Sequence, residues 1–117
     1  MDMQKILTEA AAQVGPSGQE MQVAEYFAAQ FRPLVDEVTV DALFNVIAHK
    51  RGTGPRIALF AHMDEISMMV TAVEEDGAIR LGNIGGVDPR ILPASRVWVH
   101  GRERLFGTIG ALPPHLM

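Results

Sequence analysis

An α/β fold is predicted for this chain, and three features of the sequence predict it. Two apolar stripes of helical period occupy the first third. After Pro33 the period of hydrophobicity drops to two. A run that is apolar on both faces, Ile57-Ala58-Leu59-Phe60-Ala61, then reads as a strand inside a sheet covered on both sides.

In the first segment Ile6, Ala10 and Val14 recur every four residues, with Leu7 and Ala11 beside them, so a helix is expected until Gly15-Pro16 ends it. Ser17-Gly18-Gln19-Glu20 has capping-box spacing, which predicts Ser17 as an N-cap with Glu20 reaching back. A second helix follows to about Phe31. Val23, Phe27 and Phe31 form its stripe, with Ala24 and Ala28 adjacent, and Pro33 closes it.

Val38 and Val40 then alternate with polar residues, and Val46-Ile47-Ala48 forms a second strand. The link Asp41-Ala42-Leu43-Phe44-Asn45 predicts a hairpin. Arg51-Gly52-Thr53-Gly54-Pro55 is a turn, and the apolar strand at 57–61 follows it, ending directly in His62-Met63-Asp64-Glu65. Beyond Ser67 the pattern is all β. Met68 to Val73 and Ala78 to Leu81 flank the turn Glu74-Glu75-Asp76-Gly77. Gly82-Asn83-Ile84-Gly85-Gly86 is too glycine-rich to be read as regular structure. Arg96 to His100 and Leu105 to Ile109 are two more short strands. The α/β part is expected to hand over to a β part near Gly85.

Composition narrows the function classes. The chain has 117 residues, 48% hydrophobic and 21% charged, enough apolar surface for a folded domain. A formal net charge of -4 without a basic stripe points away from nucleic acid. With no cysteine, disulfides, thiolate metal sites and cysteine nucleophiles are excluded. No apolar run reaches the roughly 20 residues that span a bilayer, so no membrane role is expected. The start Met1-Asp2-Met3-Gln4-Lys5 does not lead into a long apolar core. The expected location is the cytoplasm.

His62 and Asp64 are the leading candidates for chemistry. Ligands gather outside the carboxyl ends of strands in α/β sheets, and His62 stands where the most apolar strand stops. A metal-binding imidazole needs an acceptor for its second nitrogen. Residues two apart in extended backbone point to the same side, so Asp64 can orient His62. On spacing alone the plainer reading, two polar residues in a surface loop, is favoured, because short motifs match by chance. His49, His100 and His115 have no carboxylate at ligand spacing and read as structural or solvated. Glu74-Glu75-Asp76 reads as a solvated hairpin tip, not a pair of catalytic acids. The glycines at 82, 85 and 86 lack dinucleotide-fingerprint spacing, and Met68 and Met69 read as core filling.

Several segments taken in order carry a resemblance: Ser17-Gly18-Gln19-Glu20, Val35-Asp36-Glu37-Val38, Asp41-Ala42-Leu43, Asn45 to Lys50, Ala61-His62-Met63-Asp64-Glu65-Ile66, Ile84 to Arg90, and Pro113-Pro114-His115-Leu116. Over nearly its whole length the chain resembles the start of the deblocking (glutamyl) aminopeptidases of peptidase family M-forty-two, some of which are labelled endoglucanases. The resemblance implies a partial phosphorylase/hydrolase-like zinc-peptidase catalytic domain over residues 1–88, followed over 89–117 by the start of a β-rich insert used in dimerisation. It also implies two divalent metal ions, zinc or cobalt, in the complete enzyme, with peptide substrates and a homo-oligomeric assembly. On the same ground His62 is a ligand of one metal and Asp64 the catalytic-site carboxylate that orients it. The family's bridging aspartate, glutamate pair and further ligands have no counterparts in this sequence, so at most one weakly bound ion is expected here. Two departures from the family pattern stand out. Phe44 and Ser67 both occupy positions where a glycine is expected, and a phenylalanine at positive φ is strained.

Two other readings compete. The chain is either part of a metallopeptidase or a non-catalytic remnant that docks onto full-length subunits. Glycan hydrolysis draws only on the family labels, since no pair of positioned carboxylates is evident.

Overall fold

The computed structural model describes residues 2–111. These fall into two compact units, Met1–Gly85 and Gly86–Met117.

The first unit opens with α1 (Met3–Ala11), capped by Asp2, whose side chain accepts from Lys5 N at 3.1 Å. α2 (Met21–Phe31) lies against α1, and Tyr26 Oη reaches the Ile6 carbonyl oxygen at 3.2 Å. Among the described residues the buried apolar core is drawn from α2: Val23, Ala24 and Ala28, with Gly15 buried as well. The capping-box expectation is overturned. α2 begins at Met21, and Ser17 lies in the preceding turn, where Gly18 adopts φ +86°. Glu20 accepts from Gly18 N instead, at 2.8 Å.

β1 (Glu37–Val40) and β2 (Val46–His49) form the expected antiparallel hairpin, in register from Glu37 opposite His49 to Val40 opposite Val46. Asp41 organises its loop. Oδ1 accepts from Leu43 N (2.8 Å) and Asn45 N (2.9 Å), and Oδ2 accepts from Asn45 Nδ2 (2.8 Å). Phe44 adopts φ 63°, a left-handed conformation that costs a side-chain-bearing residue about 1–2 kcal/mol. The strain expected from sequence is therefore present.

The Asn45 side-chain amide, followed by its backbone N–H, holds the Asp41 carboxyl below the usual carboxylate range. A carboxylate lowered in the folded state contributes stability above its unfolded value and loses it as pH falls through the folded value. Protection of the Leu43 and Asn45 amides against hydrogen exchange is therefore expected to drop as pH passes below the ordinary carboxylate range. Asp41→Asn should flatten that dependence; unchanged acid sensitivity in the variant would contradict the assignment.

The apolar run at 57–61 does not form the strand that its pattern predicts. Residues 50–64 contain no helix or strand, and Ile57, Leu59 and Phe60 are 84%, 94% and 94% exposed. A strand needs a neighbour to satisfy its backbone N–H and C=O groups, and among the described residues none lies beside this segment. The covered sheet that the pattern requires is thus not formed here.

β3 (Ser67–Val73) pairs antiparallel with β4 (Ile79–Ile84), with a bulge between Val70 and Ala72. Gly77 turns the tip with φ +87°. Glu74 pairs with Arg80 across this hairpin, and Asp76 Oδ1 accepts from Ala78 N at 2.9 Å. Gly82-Asn83-Ile84 lies within β4, against expectation, because Ser67, Met68 and Met69 provide its ladder. Met69 is exposed on β3, so it is not core filling.

In the second unit a short 3-10 turn, Pro89–Ile91, follows Asp88, whose carboxylate pairs with Arg90 at 2.7 Å. β5 (Arg96–His100) and β6 (Arg104–Thr108) form the last antiparallel hairpin. Trp98 and Phe106 face each other across it edge to face at 5.3 Å, and the Arg104 guanidinium lies 4.1 Å from the indole ring. Ala94 adopts φ 65°, a feature with no signal in the sequence. Among the described residues no helix is long and apolar enough to cross a membrane.

Candidate functional site

The chemistry-bearing residues lie where two loops of the first unit meet. One is the turn Gly15-Pro16-Ser17 between α1 and α2; the other is Met63-Asp64-Glu65. Backbone pairing joins them: Glu65 N donates to Gly15 O at 2.9 Å, and Pro16 and Glu65 form a parallel bridge. Gly15 N in turn donates to Glu65 Oε1 at 3.2 Å. Close approach requires a glycine here, because a Cβ on Gly15 would lie 2.6 Å from Val23 Cγ1.

This clip sets Asp64 between two partners. Ser17 Oγ donates to Asp64 Oδ2 at 2.6 Å, and His62 Nδ1 lies 3.0 Å from Asp64 Oδ1. The Ser17 hydroxyl is the main cause that holds the Asp64 carboxyl below the usual range; partial desolvation opposes it, and the His62 ring lowers it further. An ionised carboxylate only accepts, so His62 Nδ1 carries the proton in this pair and Nε2 is left with its lone pair. The imidazole is 86% exposed, and among the described residues Nε2 has no hydrogen-bond partner. A ring with one nitrogen tied to a carboxylate and the other open fits the donor chemistry of a metal ligand.

The structure brings His62 and Asp64 together, at the separation their spacing suggests. Within the first unit it does not bring His49 to them. His49 ends β2 opposite Glu37, and His100 ends β5 opposite Arg104. His115 lies outside the described residues. Among the described residues no group of three or more His, Asp or Glu side chains is gathered to hold a metal ion. Ser17 is the residue that sequence reasoning missed as part of this site. Its partner lies 47 residues away, so no local pattern marks it. Ser67, the second departure from the resembled pattern, has a buried Oγ without a hydrogen-bond partner among the described residues.

Comparison with known proteins identifies relatives of this chain. The profile of the M42 glutamyl aminopeptidases matches residues 45–117. A lysyl aminopeptidase of Pyrococcus furiosus is 44% identical over 87 residues, which are 73% of this chain and 25% of that protein. An aminopeptidase from the archaeon Desulfurococcus kamchatkensis superposes with a TM-score of 0.90 at 34% identity, covering 96% of this chain and 32% of that one. The TET1 peptidase of Pyrococcus horikoshii, which can assemble into a tetrahedron or a large octahedral shell, superposes with a TM-score of 0.82 at 34% identity, covering 98% of this chain and 35% of that one. The chain thus spans about a quarter to a third of the length of these relatives. With the profile match and the shared fold together, the chain belongs to the M42 glutamyl aminopeptidase family of peptidases.

Proposed function

We propose that this chain is the N-terminal part of a dinuclear-metal aminopeptidase, in which His62 binds one of two divalent ions, zinc or cobalt, and Asp64 orients it. The observation that carries the reading is the His62–Asp64 pair, with Nδ1 held at 3.0 Å and Nε2 open to solvent. When bound, the metal pair supplies polarisation of the scissile carbonyl and a bound water of lowered pKa. Within that site Asp64 accepts the hydrogen bond from Nδ1–H, fixes the tautomer and keeps Nε2 outward. The remaining ligands and the general base come from chain segments that the relatives possess and this sequence does not contain. Residues 1–88 then belong to the catalytic domain, and 89–117, with the β5–β6 hairpin, begin the insert through which subunits associate. Peptides are the substrates, a homo-oligomer the assembly and the cytoplasm the location.

One imidazole does not make a tight site, since metal sites converge three or four ligands. The chain by itself is therefore expected to bind zinc weakly and to leave aminoacyl chromogenic substrates intact. Titration with zinc and cobalt, followed by a hydrolysis assay, checks this. A tight two-ion stoichiometry with turnover would show that these residues already hold a complete site.

A further inference from the structure

We propose that Ser17 is a positioning residue for His62, acting through Asp64; the inference rests on the reading of His62 as a metal ligand. Asp64 has two carboxylate oxygens, and each has one side-chain partner. Oδ1 faces His62 Nδ1 at 3.0 Å, and Oδ2 accepts from Ser17 Oγ at 2.6 Å. Rotation of the carboxylate breaks both contacts, so the hydroxyl resists any swing that would release the ring. The imidazole has little else to hold it: its side chain is 86% exposed, and among the described residues its ring nitrogens meet only Asp64, whose backbone oxygen lies 3.2 Å from Nδ1 beside the carboxylate. Ser17 is itself anchored. The turn that carries it is joined to the Asp64 loop by the two Gly15–Glu65 hydrogen bonds and the Pro16–Glu65 bridge. The order of dependence is therefore backbone clip, hydroxyl, carboxylate, imidazole. Its product is a histidine with Nδ1 protonated and Nε2 presented outward.

This role is distinct from helix capping, for which the position of Ser17 in the sequence would otherwise account. The α2 N-cap is Glu20, and the Ser17 hydroxyl is committed to a residue 47 positions away.

The test reads the metal-free chain by long-range proton–nitrogen correlation of its imidazoles at mildly alkaline pH. In the wild-type chain His62 is expected to populate mainly the Nδ1–H tautomer. Ser17→Ala should shift it toward the Nε2–H form that free histidine prefers. Ser17→Thr, which keeps the hydroxyl, should restore the wild-type ratio, and Asp64→Asn should abolish the preference. Zinc added to the same samples should perturb His62 first, with an affinity about threefold to tenfold lower in Ser17→Ala, below the loss for a directly bonded orienting group. A tautomer ratio that is identical in wild type and Ser17→Ala, with matching amide spectra, would overturn the proposal. A ratio that follows Ser17 while zinc leaves His62 undisturbed would support the positioning role and reject the metal reading instead.

Discussion

Replacing Gly15 with alanine is expected to destabilise the first unit by roughly 1–3 kcal/mol, the usual cost of forcing an extra carbon into a packed position. The added Cβ would lie 2.6 Å from Val23 Cγ1 and 3.2 Å from Val23 Cβ. Val23 cannot easily give way. It is 4% exposed, and a β-branched side chain on a helix has one strongly preferred rotamer. A glycine-to-alanine change that fits its site would instead stabilise by about 0.4–1 kcal/mol through the unfolded chain, and the clash outweighs that gain. The effect reaches the site, because the same residue supplies both hydrogen bonds to Glu65. Urea unfolding followed by circular dichroism measures the stability. The companion change Val23→Ala, which removes both Cγ atoms, should make the two substitutions markedly non-additive. Equal stability of wild type and Gly15→Ala would show that the turn has room to move.

The second large effect concerns the segment at 57–61. Ile57, Leu59 and Phe60 stand almost fully exposed in a stretch whose backbone has no strand partner among the described residues. Burying one such side chain is worth about 1.5–3 kcal/mol, so three together create a strong drive to be covered. Unpaired extended backbone with apolar side chains is also a template for pairing with another chain. The isolated chain is therefore expected to self-associate at micromolar concentration. The double variant Leu59→Lys with Phe60→Lys is expected to sediment as a monomer, since two like charges oppose both burial and stacking of copies. Sedimentation velocity across a concentration series separates the two. A wild-type chain that stays monomeric throughout and unfolds cooperatively would contradict this.

Local order was legible in the sequence because local chemistry produces it. The helical stripe ending near Phe31, the hairpin around Asp41 and the turn at Gly77 each follow from a few neighbouring residues. The contact between His62 and Asp64 was legible for the same reason, since a single residue, Met63, separates them. What escaped depends on partners distant along the chain. Ser17 carried the spacing of a cap, but an acceptor from position 64 competes for its hydroxyl. Gly82 to Ile84 looked unsuited to a strand, yet the ladder offered by Ser67 to Met69 holds them in one. The run at 57–61 shows the converse case. Its pattern encodes a covered strand, but a pattern cannot supply the neighbour that would cover it.

The exposed pair on β5 and β6 has a practical consequence. Trp98 is the chain's single tryptophan and is 51% exposed, so all indole fluorescence arises from one half-solvated ring. A guanidinium stands 4.1 Å from that ring and the Phe106 ring 5.3 Å from it, edge to face. Whatever settles over that face will dehydrate the ring and move the emission to shorter wavelength, so the hairpin carries a built-in optical gauge of its own coverage that needs no added label.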